Sequence, residues 1–411
     1  QPPDGNHLEE SGGDGGMKWE KKKLCECTEY ITDGDHQPAP KADKGVHFIK
    51  IKDIVNNQVS FDAQVYVPQE YYDNLPMERK PQKEDVLYTV VGSFGIPSYV
   101  QTDELFCFER NIALLHPNKD IEPRFLYYSL KNPAFYKGVE IVANGSAQKL
   151  IPLSKLKDLK ISVPDKEAQR HIADILSAYD DLIENNQRQI KLLEEAAQRL
   201  YKEWFVDLNF PGHENTKIED GVPEGWSKST VGNICKLRKV VITPDKIESN
   251  TPYIGLEHMP RNDICLSTWG KSEEINSNKF IYLKKDVLFG KIRPYFHKVG
   301  FALNDGITST DTMVMVADQN LWGLLLVTVS SDAFVDFSYQ NCKEGAKMPR
   351  ADWKQMEKYA IMIADQATQK LFEQEILVIT NKISALAFQC RSLREARDRM
   401  LPKLMGREVE V

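Results

Sequence analysis

Two stretches of this chain, LLEEAAQRLYKEW at 192–204 and SLREARDRMLPKL at 392–404, are versions of one helical segment. Leu193, Glu195, Ala196 and Arg199 recur 200 positions later as Leu393, Glu395, Ala396 and Arg399. Each closes a long run, the first free of glycine and proline and the second interrupted only by Pro402 near its end, and each run carries a heptad. In the first, Ile172, Leu176, Tyr179, Ile183, Asn186, Ile190, Leu193, Ala197, Leu200 and Trp204 fall on alternating steps of three and four. The second gives Phe372, Ile376, Ile379, Ile383, Leu386, Cys390, Leu393, Arg397, Met400 and Leu404. A heptad sustained this long predicts a coiled-coil seam, with Ile172, Leu176, Ile183, Ile190 and Leu193 facing Phe372, Ile376, Ile383 and Leu393. About 40 residues at ~1.5 Å each make a rod of roughly 60 Å. Asn186 is the polar seam residue of the first copy, where the second has Leu386; Pro402 replaces Lys202 and is expected to end or kink the second helix earlier.

The segments before the helices also correspond. HFIKIKDI (47–54) matches PYIGLEHM (252–259), KEDVLYTVVG (83–92) matches KKDVLFGKIR (284–293), and NGSAQK (144–149) faces KEGAKM (343–348). The order is kept and the offset drifts smoothly, the mark of a tandem duplication. The expected fold is α+β: two β-rich units in tandem, separated by two long helices that form an antiparallel coiled coil, with pseudo-twofold symmetry. Residues 1–16, polar and glycine-rich, are set aside as an extension or tag. The first unit is expected over 17–163, its helix over 164–208, a Pro/Gly-punctuated linker over 209–225, the second unit over 226–362 and its helix over 363–406.

Composition narrows the function. The chain has 411 residues, a net charge of −7 and seven scattered cysteines, best read as reduced cytoplasmic thiols without a structural zinc site. Its longest apolar runs, such as GLLLVTV at 323–329, are too short to cross a bilayer. Charge is uneven: residues 228–303 hold 13 Lys and Arg against 7 Asp and Glu, whereas 165–207 hold 6 against 10. A basic unit beside an acidic helix suits an anionic partner for the unit and another partner for the helix. The densest basic stretch, GKIRPYFHKVG (290–300), interleaves Lys291, Arg293, His297 and Lys298 with Tyr295 and Phe296, and suits phosphates and base edges. ITDGDHQPAPKADKGVHF (31–48) adds His36, Lys41 and Lys44. The glycine-centred loops add Asn144, Ser146 and Lys149 in one copy and Lys347 and Arg350 in the other.

Several signals fall short of an active site. KNPAFY (131–136) is one proline short of the loop with which amino-methyltransferases hold a base, and VVGSFG (90–95) lacks the glycine spacing of a cofactor loop. There is no Walker loop. Catalytic and metal-binding residues are therefore expected to be absent. A coiled-coil scaffold, or a methyltransferase with an unrecognised site, remains an alternative.

The residues PLSKLKDLKISVPDKEAQRHIADIL (152–176) followed by LLEEAAQRLYKEWF (192–205) carry a resemblance across 17–406 to the specificity (S) subunit of Type I restriction–modification systems. Pro164, Glu167, Gln169, Arg170, Ile172, Ala173 and Leu176 match that family's helix-opening motif. DGDH near residue 33 and GKIRPYFHKVG also look like motifs of its target recognition domains. The second copy, ADQATQKLFEQEIL, departs, with Met362 standing where Pro164 does. The resemblance implies a non-catalytic, cytoplasmic protein whose two target recognition domains read the halves of a bipartite sequence in double-stranded DNA. It further implies docking of two methyltransferase (M) subunits, which bind S-adenosylmethionine, and through them of restriction (R) subunits. No cofactor is expected in this chain.

Overall fold

The computed structural model describes residues 19–406 except 56, 63–64, 144–149, 274, 319 and 343–347. The fold is α+β and divides into two compact units, one formed by 1–181 with 394–411 and the other by 182–393. Each unit thus contains a stretch of both long helices, Lys166–Tyr201 and Gln366–Met405.

In the first unit a four-stranded sheet runs in the order Thr28–Asp33, Ile112–Pro117, Val86–Thr89, Pro97–Tyr99, all antiparallel. A smaller sheet orders Tyr66–Val67, Val46–Ile49 and Phe106–Phe108. The central strands are buried on both faces, which is why they read as unbroken apolar runs rather than alternating ones. Alternation survives in the destination of the side chains. Val86, Tyr88, Ala113 and Leu115 enter one core, beneath the helix Pro123–Lys131, while Leu87, Ile112 and Leu114 enter another with Phe106 and Phe108.

The second unit repeats the plan. Cys235–Leu237, Thr312–Ala317, Val287–Gly290 and Val299–Ala302 lie in that order, with Cys265–Leu266 added in parallel at the edge. Val287, Phe289, Met313 and Met315 face one core; Leu288 and Val314 face the other. The duplication extends to the strand pair that leads into each helix: Glu20–Lys23 pairs with Lys160–Val163, and Ser227–Thr230 with Ala360–Ile363. That register sets Val163 against Ile363, so Ala364, not Met362, takes the place of Pro164. The next residue is Asp in both copies and caps the helix, Asp165 accepting from the Ala168 amide at 3.0 Å and Asp365 from those of Ala367 and Thr368 at 2.9 and 3.1 Å.

Each unit also holds more helix than its short β-rich runs suggest. The apolar run at 323–329 is not a strand but part of the helix Trp322–Val329, buried on every side. Hydrophobic periodicity cannot separate a buried helix turn from a buried strand over so few residues.

The long helices pair antiparallel within each unit. In the second, the Cys390 thiol lies 3.7 Å from the Ile183 carbonyl, Asn186 Nδ2 lies 3.4 Å from Gln389 Oε1, and Phe372 packs on Trp204 and Phe205. Ile190 and Leu193 pack against the core that contains Ile383 and Phe372 with Ile376. In the first, Ile172, Ala173 and Leu176 share a core with Leu401, Leu404 and Met405. Leu393, near the boundary between the units, is half-buried. Pro402 does not end this helix, contrary to expectation: the helix continues to Met405 with Pro402 inside. A proline removes one helical hydrogen bond, and here it does so in an exposed last turn whose neighbours Leu401, Leu404 and Met405 are held in the core. The first helix stops sooner, passing at Lys202 into a π turn.

Candidate nucleic-acid interface

The basic stretch at 290–300 is the connection between two antiparallel core strands, which holds both of its ends rigidly. Between them the backbone takes left-handed turns at Arg293 (φ 50°) and His297 (φ 50°), flanking a short 3-10 turn at Pro294–Phe296. Three of the predicted cations have partners inside the fold. Lys291 Nζ donates to the Thr310 carbonyl at 2.7 Å, His297 Nε2 to the Ser330 carbonyl at 2.8 Å, and Lys298 Nζ to the Leu256 carbonyl. Burial lowers the pKa of both lysines. Asp311 offsets part of this at Lys291; at Lys298 the nearby Arg261 adds to it. The two lysines and His297 fasten the loop to the neighbouring turns and to the helix Asp332–Gln340.

Fixing those residues leaves others on the surface. Tyr295 is 46% exposed and packs edge-on against Phe296 at 4.9 Å and Tyr339 at 5.2 Å. Two guanidinium groups lie on the Phe296 ring, Arg261 at 4.0 Å and Arg293 at 5.8 Å. Arg350 joins the same loop through a bridge to Ile292 and pairs with Asp311 at 3.0 Å. The result is one face with three arginines and an aromatic ladder. Arg261 carries no sequence signal of its own. It reaches the site because the Asn262 amide donates to the His297 carbonyl at 3.1 Å, a contact across more than thirty residues.

In the first unit, His36 is exposed and lies 3.0 Å from Asp33, while Lys41 and Lys44 are exposed on the same excursion. The DGD turn there is sterically fixed: a Cβ on Gly34 would stand 2.2 Å from the Phe108 carbonyl oxygen. Asn144, Ser146, Lys149 and Lys347 lie outside the described residues. KNPAFY spans the joint between two helices, where Asn132 caps the second by accepting from the Ala134 amide at 3.0 Å. Among the described residues no helix is long and apolar enough to cross a membrane.

The helix-opening motif has a structural reason. Gln169 Oε1 accepts from the Glu122 amide at 2.9 Å and its Nε2 donates to the Pro164 carbonyl at 3.0 Å, tying the long helix to the start of Pro123–Lys131. In the second copy Gln369 instead donates to Glu373, whose carboxylate takes the amides of Gly323 and Leu324 at 2.6 and 3.0 Å.

Comparison with known proteins agrees with this architecture. Residues 17–195 match the family model for the Type I restriction modification DNA specificity domain. The chain is 25% identical over 332 residues to the Type I restriction enzyme MjaIX specificity subunit of Methanocaldococcus jannaschii, covering 74% of this chain and 72% of that protein. It is 23% identical to the EcoDI specificity subunit of Escherichia coli over 66% of this chain and 65% of that one. The crystal structure of a Type I restriction–modification S subunit from M. genitalium superposes with a TM-score of 0.57 at 17% identity, covering 95% of this chain and 97% of that one. The chain thus matches the Type I restriction modification DNA specificity domain at 17–195 and is similar over most of its length to specificity subunits of Type I restriction–modification systems.

Proposed function

We propose that this chain is the non-catalytic, DNA-reading subunit of its complex, and that it reads a bipartite target with one unit per half. The observation that carries this is the duplication itself: the two units share the strand order of four strands of their main sheets, while the loops they expose differ in chemistry. Two equal scaffolds with unequal reading surfaces suit a split, asymmetric sequence. On the second unit, Arg261, Arg293, Tyr295 and Arg350 would meet DNA, the arginines on phosphates or guanine edges and Tyr295 beside a base or sugar. Lys291, His297 and Lys298 would hold that face in shape. His36, Lys41 and Lys44, with Asn144, Ser146, Lys149 and Lys347, belong to the same proposed reading surfaces.

The domain limits drawn at 17–163, 164–208, 226–362 and 363–406 are part of this reading, with the repeated helices offering two similar docking faces to two methyltransferase subunits. S-adenosylmethionine would bind those subunits, and restriction subunits would join through them in the cytoplasm. The helices would also set the distance between half-sites. The test is to map methylated bases in DNA from cells carrying this chain and its modification partner. The expected result is a bipartite motif with a methylated adenine in each half; a single uninterrupted motif rejects the proposal.

A further inference from the structure

The two units do not present the same chemistry at the same place. In the second, the connection after Val287–Gly290 is the cationic, aromatic loop described above. In the first, the corresponding connection after Val86–Thr89 is VVGSFGI, which contains no cation. Its Phe94 is stacked on Tyr136 at 5.8 Å with 14° between the rings. A neutral loop packed on its own unit has nothing with which to hold a polyanion, so the first unit must meet one elsewhere.

A cavity of about 450 Å³ lies between the 35–41 excursion, the small sheet and the turn at 109–111. Its acids are engaged. Asp35 accepts from the Gln37 amide at 3.1 Å and the Tyr71 hydroxyl at 3.1 Å, and lies 3.5 Å from Arg79. Burial pushes the Asp35 carboxyl up, but these donors outweigh it and leave it below the usual range. Glu109 accepts from the Ile51 amide at 2.8 Å. Its cations are not engaged in the same way: Lys41, Lys50 and Arg110 make no ion pair among the described residues, and Lys41 and Arg110 are exposed. Half-buried Phe48 and Tyr66 supply an aromatic wall. The rim is braced by backbone bonds from Glu109 to Ile49 at 3.0 Å and from Ala42 to Tyr66 at 3.0 Å. This is a preformed concavity of ligand size, with free positive charge beside aromatic surface, a combination that suits one nucleotide.

We propose, building on the reading above, that this cavity seats one nucleotide of the first unit's DNA half-site, with Lys50 and Arg110 on its phosphate and Phe48 and Tyr66 against its sugar and base edge. Neither Lys50 nor Arg110 belongs to the loops whose sequence advertises DNA contact. The same chemistry would fit a free mononucleotide, and the experiment separates the two.

The full chain, in complex with the modification subunit, is used to select duplexes from a randomised pool as wild type, as K50A/R110A and as the charge-preserving K50R/R110K. The wild type is expected to return a bipartite consensus. K50A/R110A is expected to keep one half and lose the other, to bind the wild-type consensus at least about ten-fold more weakly, and to show a salt slope shallower by about one. K50R/R110K is expected to retain both halves, which separates loss of charge from misfolding. Unchanged selection by K50A/R110A, or equal loss in K50R/R110K, overturns the assignment. So does dAMP binding that K50A/R110A abolishes while DNA selection stays intact, which marks a free-nucleotide site. A wild type that selects no bipartite sequence overturns the underlying reading instead.

Discussion

Arg397 stands at a seam position where the first copy has Ala197, a charged residue in a row of apolar ones. Its guanidinium pairs with Asp180 on the facing helix, which also accepts from the Tyr128 hydroxyl at 2.8 Å and lies 3.8 Å from Lys131 Nζ. Burial lowers the Lys131 pKa to about 8, with Asp180 pulling the other way. One carboxylate thus serves two largely buried cations. Arg397 also pairs with Asp398 at 2.8 Å, so Asp180→Asn keeps the shape, strands Lys131 and leaves Arg397 with Asp398 alone; it should destabilise the first unit by about 2 kcal/mol. Asp180→Asn with Arg397→Met should recover part of that loss. Chemical denaturation of the three proteins measures it, and equal stabilities would show that the cluster contributes nothing. On the second unit, Arg261→Ala and Arg293→Ala should each weaken DNA binding by ~1–3 kcal/mol if the arginine reads a base, with preference lost in one half only. Selected sequences that lose both halves together would contradict separate reading.

At the scale of elements, the long helices grip their units through carboxylates. Glu194 is buried in the second unit and accepts from the Ile264 and Cys265 amides, both at 3.0 Å. Burial, reinforced by Asp263, pushes its pKa up to about 8 against the pull of those two amides. A raised carboxyl pKa favours the protonated folded state. Its stabilising effect is therefore complete below the ordinary glutamate value of about 4.3 and is lost as pH rises through about 8. Glu194→Gln keeps an acceptor for the amides without the charge. It should raise the second unit's stability little near pH 5 and by up to a few kcal/mol at pH 9. Melting curves across that range decide, and a gain independent of pH would refute the argument. Such grips were not legible in the sequence, where Glu194 is one of ten acids along an exposed-looking helix. The helices themselves were legible, because a heptad is a local signal repeated many times. Proline's cost at Pro402 depends on where the residue falls in the last turn, and Ala364 rather than Met362 stands against Pro164 because the strand pairing keeps the helices' offset of 200. The basic loop was found by composition, yet composition does not say that Lys291, His297 and Lys298 turn inward, or that Arg261 joins from a distant turn.

For the whole molecule, the decisive fact is that the first unit is built from both ends of the chain: it takes 394–411 from beyond the second, and each unit holds part of each long helix. Two helical links between the same two units cannot lengthen independently, which is what a ruler requires. Inserting seven residues into both, between Asp181 and Leu182 and between Leu393 and Arg394, preserves the heptad phase and adds ~10 Å of helix. At ~3.4 Å per base pair that is about three base pairs. If the helices set the half-site separation, duplex selection with the double insertion should return the same two half-sites with a longer spacer, by about three pairs. A single insertion puts the pairing of Ile183 with Cys390 out of step with that of Asp180 with Arg397, so that one of them must give, and it should cost stability before it changes spacing. The paired and single insertions together separate a spacing device from a mere tether: a tether tolerates both and leaves the spacer where it was, whereas a ruler moves only when both sides grow.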